Sequence, residues 1–457
     1  MVSRRDFLKT TAAAAAGALA SQPVPGFGIL AKPRVAILGA GLAGLAAGYA
    51  LTRNGYPVTI IEARNRIGGR VVTHSFDSHG LVAELGAEWV GESHERVRAM
   101  CDEFGLELHD NRFRTHLVYR GEYSPAGQWS YSPAWETRWN ELMERYQGYT
   151  DTDKRALDKT DWWRFLLQQG ITDRDLDLRE LLDSTDFGES IRHVSAYAAF
   201  AEYAESSEHN EMDFKIKGGN ARLPEALADR IGRQNIHFGR EATEIRQAGT
   251  EVTVICAGGE SPLTITADRL ICALPTLAVR AIRWDPPLSE EMLWALDALQ
   301  YARIAKVVTP FDERFWHDDD FDMVTDRYGH YFYHATKEQS PAAGALTAYI
   351  VGDKADVISR QDTEFKKHVI AESLQPAFGD ISPLMTTNPV TYYFGSDKYS
   401  RGAYALYGKG QWYSVMPALK TPHGSVLFAG EHLADWQGFM EGAVNSGEDA
   451  AEAIVNG

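Results

Sequence analysis

Residues 34–62 have the order strand, glycine-rich turn, helix and strand, and this order constrains the fold more than any other feature of the sequence. An apolar run at 34–38 is followed by Gly39-Ala40-Gly41-Leu42-Ala43-Gly44, a GxGxxG pattern, and a helix rich in small residues continues to Leu51. A second apolar run at 58–61 ends at Glu62. A unit of this length places its two strands in parallel, with the helix on one face of a sheet. The sequence therefore predicts an α/β fold that opens with a dinucleotide-binding unit.

Each glycine of this unit, and the acidic residue that ends it, has a physical reason. Gly39 allows the tight turn, Gly41 lets backbone N–H groups approach a pyrophosphate, and Gly44 lets the helix pack close to the strand. Glu62 can accept hydrogen bonds from both hydroxyls of a ribose, and its charge disfavours the 2′-phosphate of NADP. The unit by itself does not separate FAD from NAD.

The residues that follow the second strand make that separation. Glu62-Ala63-Arg64-Asn65-Arg66-Ile67-Gly68-Gly69-Arg70 resembles the EARxRxGGR continuation of the flavin amine oxidase family, which nicotinamide dehydrogenases do not carry. The resemblance implies FAD as the cofactor, with Arg64 and Arg70 lying along it and Arg70 neutralising the pyrophosphate. Arg66 is interpreted as a surface charge.

The resemblance extends over the rest of the chain, in segments 84–91, 217–224, 270–275, 398–404, 426–432 and 438–444. The cofactor-binding residues that it implies are Gly39, Gly41, Ala43, Gly44, Glu62, Ala63, Arg64, Gly69, Arg70, Gly86, Ala87, Glu88, Trp89, Ala242, Gly430, Glu431, Gly438, Phe439, Met440 and Ala443.

Several of these residues have more specific implied roles. Glu88 and Trp89 would contribute mostly backbone beside the isoalloxazine edge, and Glu431 would bind the ribityl hydroxyls. The helix that begins near Met440 would aim its N–H groups at flavin N1 and O2, where its dipole stabilises the negative charge of reduced flavin. Monoamine oxidases bind FAD covalently through a cysteine at the position of Ala403, so the resemblance predicts non-covalent FAD here.

Two predicted strands carry further site residues. The strand predicted over 236–245 includes Ala242, whose backbone would meet the adenine. The β-rich apolar run at 299–308 contains one lysine, Lys306, and a lysine in a buried strand is costly unless it meets water or a partner. The resemblance implies that Lys306 holds a water on flavin N5 and is the catalytic residue; the alternative is a lysine at a strand edge that points outward.

We expect an α/β fold in which a Rossmann-like FAD-binding domain of the GR2 flavoprotein type is interleaved with an α+β substrate-binding domain. The first insert is helical in pattern, and its tryptophans are interpreted as packing residues: Trp129, Trp135, Trp139, Trp162 and Trp163. The second insert alternates like a sheet. The predicted boundaries are 1–20 for a signal peptide, 21–32 for a spacer, 33–92, 213–298 and 396–457 for the FAD-binding domain, and 93–212 and 299–395 for the substrate-binding domain.

The resemblance implies oxidative deamination. A neutral amine presents its α C–H to the flavin, an imine leaves and hydrolyses to a carbonyl compound and ammonia, and dioxygen reoxidises the flavin to give hydrogen peroxide. Tyr404 and Phe439 match the two aromatic residues that flank the amine, and Trp89 is a third predicted substrate-binding residue; core packing is the alternative for all three.

The substrate is expected to be an L-amino acid first and a primary amine or polyamine second. The spacing from Gly430 to Gly438 fits L-amino-acid and polyamine oxidases. Animal L-amino-acid oxidases, however, have a carboxylate-binding arginine at the position of Trp89, which leaves Arg401 or Arg222 as candidates for that role. A more distant alternative is a desaturase or an enzyme similar to protoporphyrinogen oxidase.

The N-terminus predicts export. Ser3-Arg4-Arg5-Asp6-Phe7-Leu8-Lys9 resembles a twin-arginine signal, and Ala18-Leu19-Ala20 offers a cleavage site. The expected location is therefore periplasmic or secreted. Folding around FAD in a reducing cytoplasm before export suits a chain with only three cysteines, Cys101, Cys256 and Cys272.

Composition narrows the partners. A formal net charge of −17, from 46 Lys+Arg and 63 Asp+Glu, argues against nucleic acid, and no apolar run approaches a membrane span. No cluster has metal-ligand spacing, and His432 is interpreted as satisfying a local hydrogen bond. The expected partners are a small amine or amino acid and dioxygen, and a homodimer is left open.

Overall fold

The computed structural model describes residues 32–457 apart from 260 and 341. The predicted signal peptide and all but the last residue of the predicted spacer lie outside these described residues. The helices of the described chain are α1 (Leu42–Arg53), α2 (Glu95–Phe104), α3 (Pro133–Tyr146), α4 (Asp151–Asp158), α5 (Trp162–Gln168), α6 (Asp173–Phe187), α7 (Ala196–Glu205), α8 (Arg222–Ile231), α9 (Thr276–Ala281), α10 (Glu290–Ala298), α11 (Asp353–Ser359), α12 (Thr363–Phe378), α13 (Val415–Lys420) and α14 (Met440–Asn456).

The strands are β1 (Val35–Leu38), β2 (Val58–Ile61), β3 (Thr73–Phe76), β4 (Leu81–Glu84), β5 (Leu108–Asp110), β6 (Arg114–Tyr119), β7 (Glu122–Ser124), β8 (Phe214–Ile216), β9 (Ile236–His237), β10 (Glu241–Ala248), β11 (Glu251–Ala257), β12 (Leu263–Ala267), β13 (Arg269–Cys272), β14 (Arg283–Asp285), β15 (Gln300–Tyr301), β16 (Ile304–Phe311), β17 (Phe321–Thr325), β18 (Tyr331–His334), β19 (Gly344–Val351), β20 (Val390–Tyr393), β21 (Ala405–Leu406) and β22 (Val426–Phe428).

A parallel sheet with the order β22–β13–β1–β2–β9 lies at the centre of the dinucleotide-binding part. All four residues of β1 are buried, because an apolar strand suits a sheet that is covered on both faces. The five strands come from three separate stretches of the chain, and each strand falls within a segment predicted for the FAD-binding domain. The domain boundaries themselves stay a prediction.

The first and last helices of the described chain pack tightly on each other beside this sheet. A Cβ atom at Gly447 of α14 would lie 2.1 Å from the carbonyl oxygen of Ala43 in α1, so only glycine allows this approach. The close contact fixes how the N-termini of α1 and α14 are placed relative to one another.

The prediction of one strand over 236–245 is wrong. The chain forms β9, which joins the parallel sheet, and β10, which pairs with β11 and β14 in a second sheet. Gly239 lies between them with φ +63°, a left-handed turn that redirects the backbone. Ala242 therefore belongs to β10, opposite Cys256.

A seven-stranded sheet, β20–β16–β19–β18–β17–β6–β7, dominates the other part of the molecule. Every residue of β16 is buried, and Lys306 lies opposite Tyr349 of β19 and Tyr392 of β20. Two short ladders, β5–β8 and β15–β21, join stretches predicted for different domains.

The helices α3 to α7 form an apolar cluster in which the predicted packing role of the tryptophans is observed. Trp135 and Trp162 are buried in it, and Trp139 and Trp163 pack against it. None of these four lines the principal cavity. Among residues 32–457 as described, we find no helix long and apolar enough to cross a membrane.

Candidate active site

A cavity of about 360 Å³ opens at the carboxyl-terminal edge of the parallel sheet. Gly39 follows β1, Glu62 follows β2, and Gly430 lies just beyond β22; all three line the cavity. The opposite wall includes Lys306 and Tyr349 of the seven-stranded sheet. In open α/β sheets, ligands bind in the crevice at this edge, so the cavity has the position that the fold predicts for a cofactor and substrate.

Of the residues predicted for cofactor binding, all except Gly44 line this cavity, as do the predicted catalytic and substrate-binding residues Lys306, Tyr404, Phe439 and Trp89. Gly44 lies behind the turn, where a Cβ atom would be 2.0 Å from the carbonyl oxygen of Gly39. Packing of helix against strand therefore requires this glycine. The individual roles of the lining residues toward the cofactor stay predictions.

The N-terminus of α1 has the features of an anion site. Gly41 precedes the helix and provides no side-chain cap, and the first turn contains no acidic residue. A Cβ atom at Gly41 would meet nothing within 4 Å, so open space lies beside the backbone. Unpaired N–H groups at a helix start that faces a cavity suit a phosphate or pyrophosphate.

Glu62 is held in place at the end of β2. Its Oε2 accepts a hydrogen bond from the Ala40 N–H at 2.8 Å, and its Oε1 accepts one from the Arg64 N–H at 2.8 Å. Each oxygen keeps a further lone pair for a ribose hydroxyl.

Arg70 and Glu431 form an ion pair inside the cavity, with Nη1 2.6 Å from Oε1. Burial is the largest single influence and by itself would raise the pKa of Glu431, but the Arg70 charge and the hydrogen bonds that the carboxylate accepts together bring the pKa below its usual value. Glu431 also accepts hydrogen bonds from the Ala405 N–H at 3.2 Å and the Gly438 N–H at 2.8 Å. The carboxylate predicted to bind ribityl hydroxyls thus also joins the arginine loop to the turn before α14.

Arg64 points toward the segment that contains Ala403. Its guanidinium donates to Asp397 and, at 2.9 Å, to the Ser400 hydroxyl. Arg66 is half-buried, donates to the Ile67 carbonyl at 3.1 Å and does not line the cavity.

Four buried polar atoms of cavity-lining residues have no hydrogen-bond partner in the described chain: Trp89 Nε1, Asn210 Oδ1, His432 Nδ1 and Gln437 Oε1. The interpretation that His432 satisfies a local hydrogen bond is therefore wrong for this nitrogen; burial lowers the pKa of His432 to about 4 and leaves the ring neutral. Two of the four atoms, those of His432 and Gln437, belong to the segment between β22 and α14, and the N-cap residue of α14, Phe439, provides no side-chain cap. Unpaired donors and acceptors beside a free helix start fit the polar edge of a flavin, so the residues present suit FAD.

Lys306 is buried in β16 and does not point outward. Its Nζ donates to the Gly86 carbonyl at 2.7 Å and to Glu88 Oε2 at 2.8 Å, with the Glu84 carbonyl at 3.4 Å. Three aromatic rings surround the ammonium, with centroids 5.7 to 6.0 Å away: Trp89, Tyr333 and Tyr349. The alternative of an exposed strand-edge lysine is excluded, whereas the predicted water on flavin N5 remains a prediction.

The side chain of Glu88 has a function that sequence analysis missed. Its Oε1 accepts a hydrogen bond from Lys215 Nζ at 2.8 Å, and its Oε2 accepts one from the Tyr333 hydroxyl at 2.9 Å as well as the one from Lys306. Burial by itself would raise the pKa of Glu88, but Lys215 and then Lys306 lower it below its usual value. In the sequence, only the lysine at position 215 could have pointed to this role of Glu88, and it resembles an ordinary surface lysine.

The end of the cavity near Lys306 is aromatic. We call Trp89, Tyr331, Tyr349, Tyr404 and Phe439 the aromatic end; all line the cavity. Trp89 and Tyr331 each lie near Tyr349, with ring centroids 6.2 and 6.3 Å apart. The Tyr404 hydroxyl donates to the carbonyl oxygen of Asp186. Sequence patterns identified only three of these rings, because Tyr331 and Tyr349 resemble ordinary strand residues.

Two acidic residues that the sequence analysis did not identify, Asp186 and Glu202, also line the cavity. Burial, and next the nearby Asp183 carboxylate, raises the pKa of Asp186 to about 7.

The arginines that line the cavity each have a partner away from the aromatic end: Arg64 at Asp397, Arg70 at Glu431, Arg240 at the Gly258 and Ser261 carbonyls, and Arg401 at the Lys398 carbonyl. Arg222 donates to the Lys217 carbonyl and does not line the cavity.

Known proteins share these features. The chain matches the family model described as flavin containing amine oxidoreductase over residues 42–455, and a twin-arginine translocation signal sequence over residues 1–21. L-amino-acid oxidase BmooLAAO-I of Bothrops moojeni is 26% identical over 464 residues, which cover 92% of this chain and 89% of that protein.

Solved structures agree with the fold. Wild-type putrescine oxidase bound to putrescine superposes with a TM-score of 0.82 at 24% identity. Cyclohexylamine oxidase from Brevibacterium oxydans IH-35A superposes with a TM-score of 0.81 at 22% identity. Each superposition covers 93% of this chain and 99% of the compared chain. At these identities the two structures support the fold alone.

A parallel sheet with a glycine-rich turn, and a cavity at the carboxyl ends of its strands, define an α/β protein that binds a dinucleotide cofactor. The chain belongs to the flavin containing amine oxidoreductase family, and FAD is its cofactor.

Proposed function

We propose that the chain catalyses oxidative deamination of a small primary amine that carries no α-carboxylate. The balanced reaction is R–CH₂–NH₂ + O₂ + H₂O → R–CHO + NH₃ + H₂O₂. FAD, when bound, supplies the two-electron acceptor, and dioxygen regenerates it. The observation that carries the proposal is the lining of the cavity: its aromatic end adjoins Asp186 and Glu202, and the cavity's arginines are bound elsewhere.

The aromatic end favours the neutral amine, which is the reactive form. Tyr404 and Phe439 line the cavity, and burial away from water disfavours an ammonium charge on the reacting nitrogen. The nearby Lys306 cation acts in the same direction, because it repels a second positive charge. Lys306 would hold a water beside the flavin by giving up the longest of its three contacts, the one with the Glu84 carbonyl oxygen at 3.4 Å.

An L-amino acid, which the sequence analysis placed first, becomes the second candidate. The curated L-amino-acid oxidase of Bothrops moojeni supports it through similarity over most of both chains. Its substrate would bring an α-carboxylate that needs a cationic partner, and the aromatic end supplies none besides Lys306, which is already paired with Glu88.

The test is a peroxide assay of the FAD-loaded protein on amino acids, each paired with the amine that its decarboxylation gives. In every pair that gives peroxide, we expect kcat/KM for the amine to be at least about tenfold higher than for the amino acid. This ratio corresponds to the free-energy cost of leaving one charged group unpaired in the site. Preference for the amino acid would overturn the proposal in favour of the second candidate. Absence of peroxide with every amine would overturn oxidase activity itself.

We also infer export of the folded protein to the periplasm or the medium, supported by the twin-arginine signal at residues 1–21. Replacing Arg4 and Arg5 by lysine should keep the protein and its flavin in the cytoplasm. A Lys9→Arg variant is the control and should be exported. Export of the double variant would contradict the inference.

A further inference from the structure

A smaller chamber of about 160 Å³ lies beside the principal cavity. Thr185, Asp186, Asn210, Met212 and Tyr331 line both spaces. Since Tyr331 belongs to the aromatic end, the chamber continues the substrate side of the site and lies away from the glycine-rich turn.

The polar groups of this chamber are mainly hydrogen-bond acceptors. Two aspartates, Asp186 and Asp322, line it, and no lysine, arginine or histidine of the described chain does so. Two buried carboxyl groups that share a chamber without a cation repel one another when ionised.

Asp322 lies in β17 and is 1% exposed. Its Oδ2 accepts hydrogen bonds from the Tyr331 hydroxyl at 2.8 Å and the Thr115 hydroxyl at 3.3 Å. Its Oδ1 has no partner among the described residues. Burial raises the pKa of Asp322 to about 7. An acceptor with no donor is costly in a buried site, and this one belongs to a residue that lines an open chamber.

Two neighbours complete the set of acceptors. Asp186 Oδ2 accepts from the Tyr203 hydroxyl at 2.7 Å, and the Oδ1 of Asn210 has no partner in the described chain. The chamber also has apolar walls, including Met212 and Val324. A compact cation with several N–H donors on an apolar stem complements these groups chemically.

We propose that Asp322, Asp186 and Asn210 bind the distal ammonium of a diamine whose other amino group is oxidised at the aromatic end. This assignment rests on the proposed amine oxidation and names its substrate class. An ammonium satisfies the unpaired oxygens with N–H donors, and its methylene chain packs on Met212 and Val324. A metal ion fits less well, because no group of three or more His, Cys, Asp or Glu side chains in the described chain can hold one.

The test compares α,ω-diamines with n-alkylamines of equal chain length on the FAD-loaded enzyme. We expect a higher kcat/KM for the diamine in the unaltered protein. Asp322→Asn should lower kcat/KM for the diamine by about 10- to 100-fold, the size of a hydrogen bond to a buried charge, and change the monoamine value by less than about threefold. Asp186→Asn tests the chamber independently if Asp322→Asn folds poorly.

The matched control is Asp312→Asn, because Asp312 directly follows the buried strand β16, has a side chain that is 73% exposed and lies outside both cavities. It should preserve both activities. Equal losses on diamine and monoamine in both chamber variants, or a preference of the unaltered enzyme for the monoamine, would overturn the subsite and leave amine oxidation standing. Failure of the proposed function differs, since no amine of either kind would then yield peroxide.

Discussion

Lys306 Nζ lies 2.8 Å from Oε2 of Glu88, and both side chains are almost completely buried where the two sheets face the cavity. Lys215 holds the other carboxylate oxygen at 2.8 Å, so one anion serves two lysines. When all three groups are ionised, this trio carries one net positive charge beside the predicted flavin. A fixed positive charge at that position favours an electron-rich cofactor and a negatively charged form of oxygen.

Lys306→Met should produce a folded, FAD-loaded protein whose reduced flavin reacts slowly with dioxygen. We expect the rate constant for reoxidation of the reduced flavin by dioxygen to fall by about 100-fold, which is the size of one electrostatic or acid–base contribution to catalysis. The measurement is stopped-flow mixing of anaerobically reduced enzyme with dioxygen. Lys217→Met, at an exposed lysine paired with Glu107, is the control and should react normally. Unchanged oxygen kinetics in Lys306→Met would refute the role.

Glu88→Gln should destabilise the protein, because it leaves two buried ammonium groups without their anion. The expected loss in the free energy of unfolding is about 3–5 kcal/mol, as for breaking a buried ion pair. Thermal unfolding of the FAD-loaded protein measures it. Adding Lys215→Met should restore part of the lost stability, since it removes one of the two unpaired cations. A double variant less stable than Glu88→Gln would contradict this account.

The same change has a consequence for pH dependence. Burial lowers the pKa of Lys306 below its usual value, while the Glu88 carboxylate raises it. Removing that carboxylate therefore lowers the pKa further, and the ammonium is lost at lower pH. When the rate of flavin reoxidation is plotted against pH, the fall at alkaline pH should begin about one pH unit or more lower in Glu88→Gln than in the unaltered protein. Glu84, Lys215 and the Tyr333 and Tyr349 hydroxyls also face this region, so Tyr349→Phe is a useful comparison and should leave the pH of this fall unchanged.

Much of the dinucleotide-binding part could be predicted from sequence, because its residues have local causes. The turn at Gly39, the strand that directly precedes Glu62 and the buried run of β1 follow from spacing and apolar pattern. The error over 236–245 has a local cause as well: a single glycine, Gly239, turns the backbone within an otherwise strand-like run. β9 has only two residues, too few to show a periodicity that would separate it from β10.

The site residues that sequence analysis missed depend on tertiary structure. Asp186 is the penultimate residue of α6, Asp322 lies in β17, and Lys215 lies in β8, between them in the sequence. Each resembles a solvent-exposed charge in the sequence, because nothing within a few residues indicates burial or a partner. Only the packing of the seven-stranded sheet against the helices brings Asp186 and Asp322 to one chamber.

Flavin should be released by acid precipitation. Ala403 lines the cavity and has no sulfur, and none of the chain's three cysteines, all buried, lines it. The supernatant should be yellow and the protein pellet colourless. Unfolding in neutral denaturant followed by ultrafiltration provides the control, and should return the same amount of FAD in the filtrate. Flavin retained on the pellet would contradict non-covalent binding.

The preference for diamines should rise with pH. Because the pKa values of Asp186 and Asp322 are raised to about 7, both carboxyl groups are largely neutral below that pH and charged above it. A distal ammonium is therefore bound more tightly as pH increases from about 6 to about 8. Asp183, Arg179 and Tyr203 face Asp186, and Tyr331 faces Asp322; none of these neighbours supplies a free cation to the chamber.

The measured quantity is the ratio of kcat/KM for an α,ω-diamine to that for the matched n-alkylamine. Deprotonation of the reacting amino group affects both substrates, so the ratio isolates the chamber. In Asp322→Asn the rise should be smaller, because one of the two titrating groups is gone. A ratio that is flat across this range, or that falls, would show that neither carboxyl group contacts the distal ammonium.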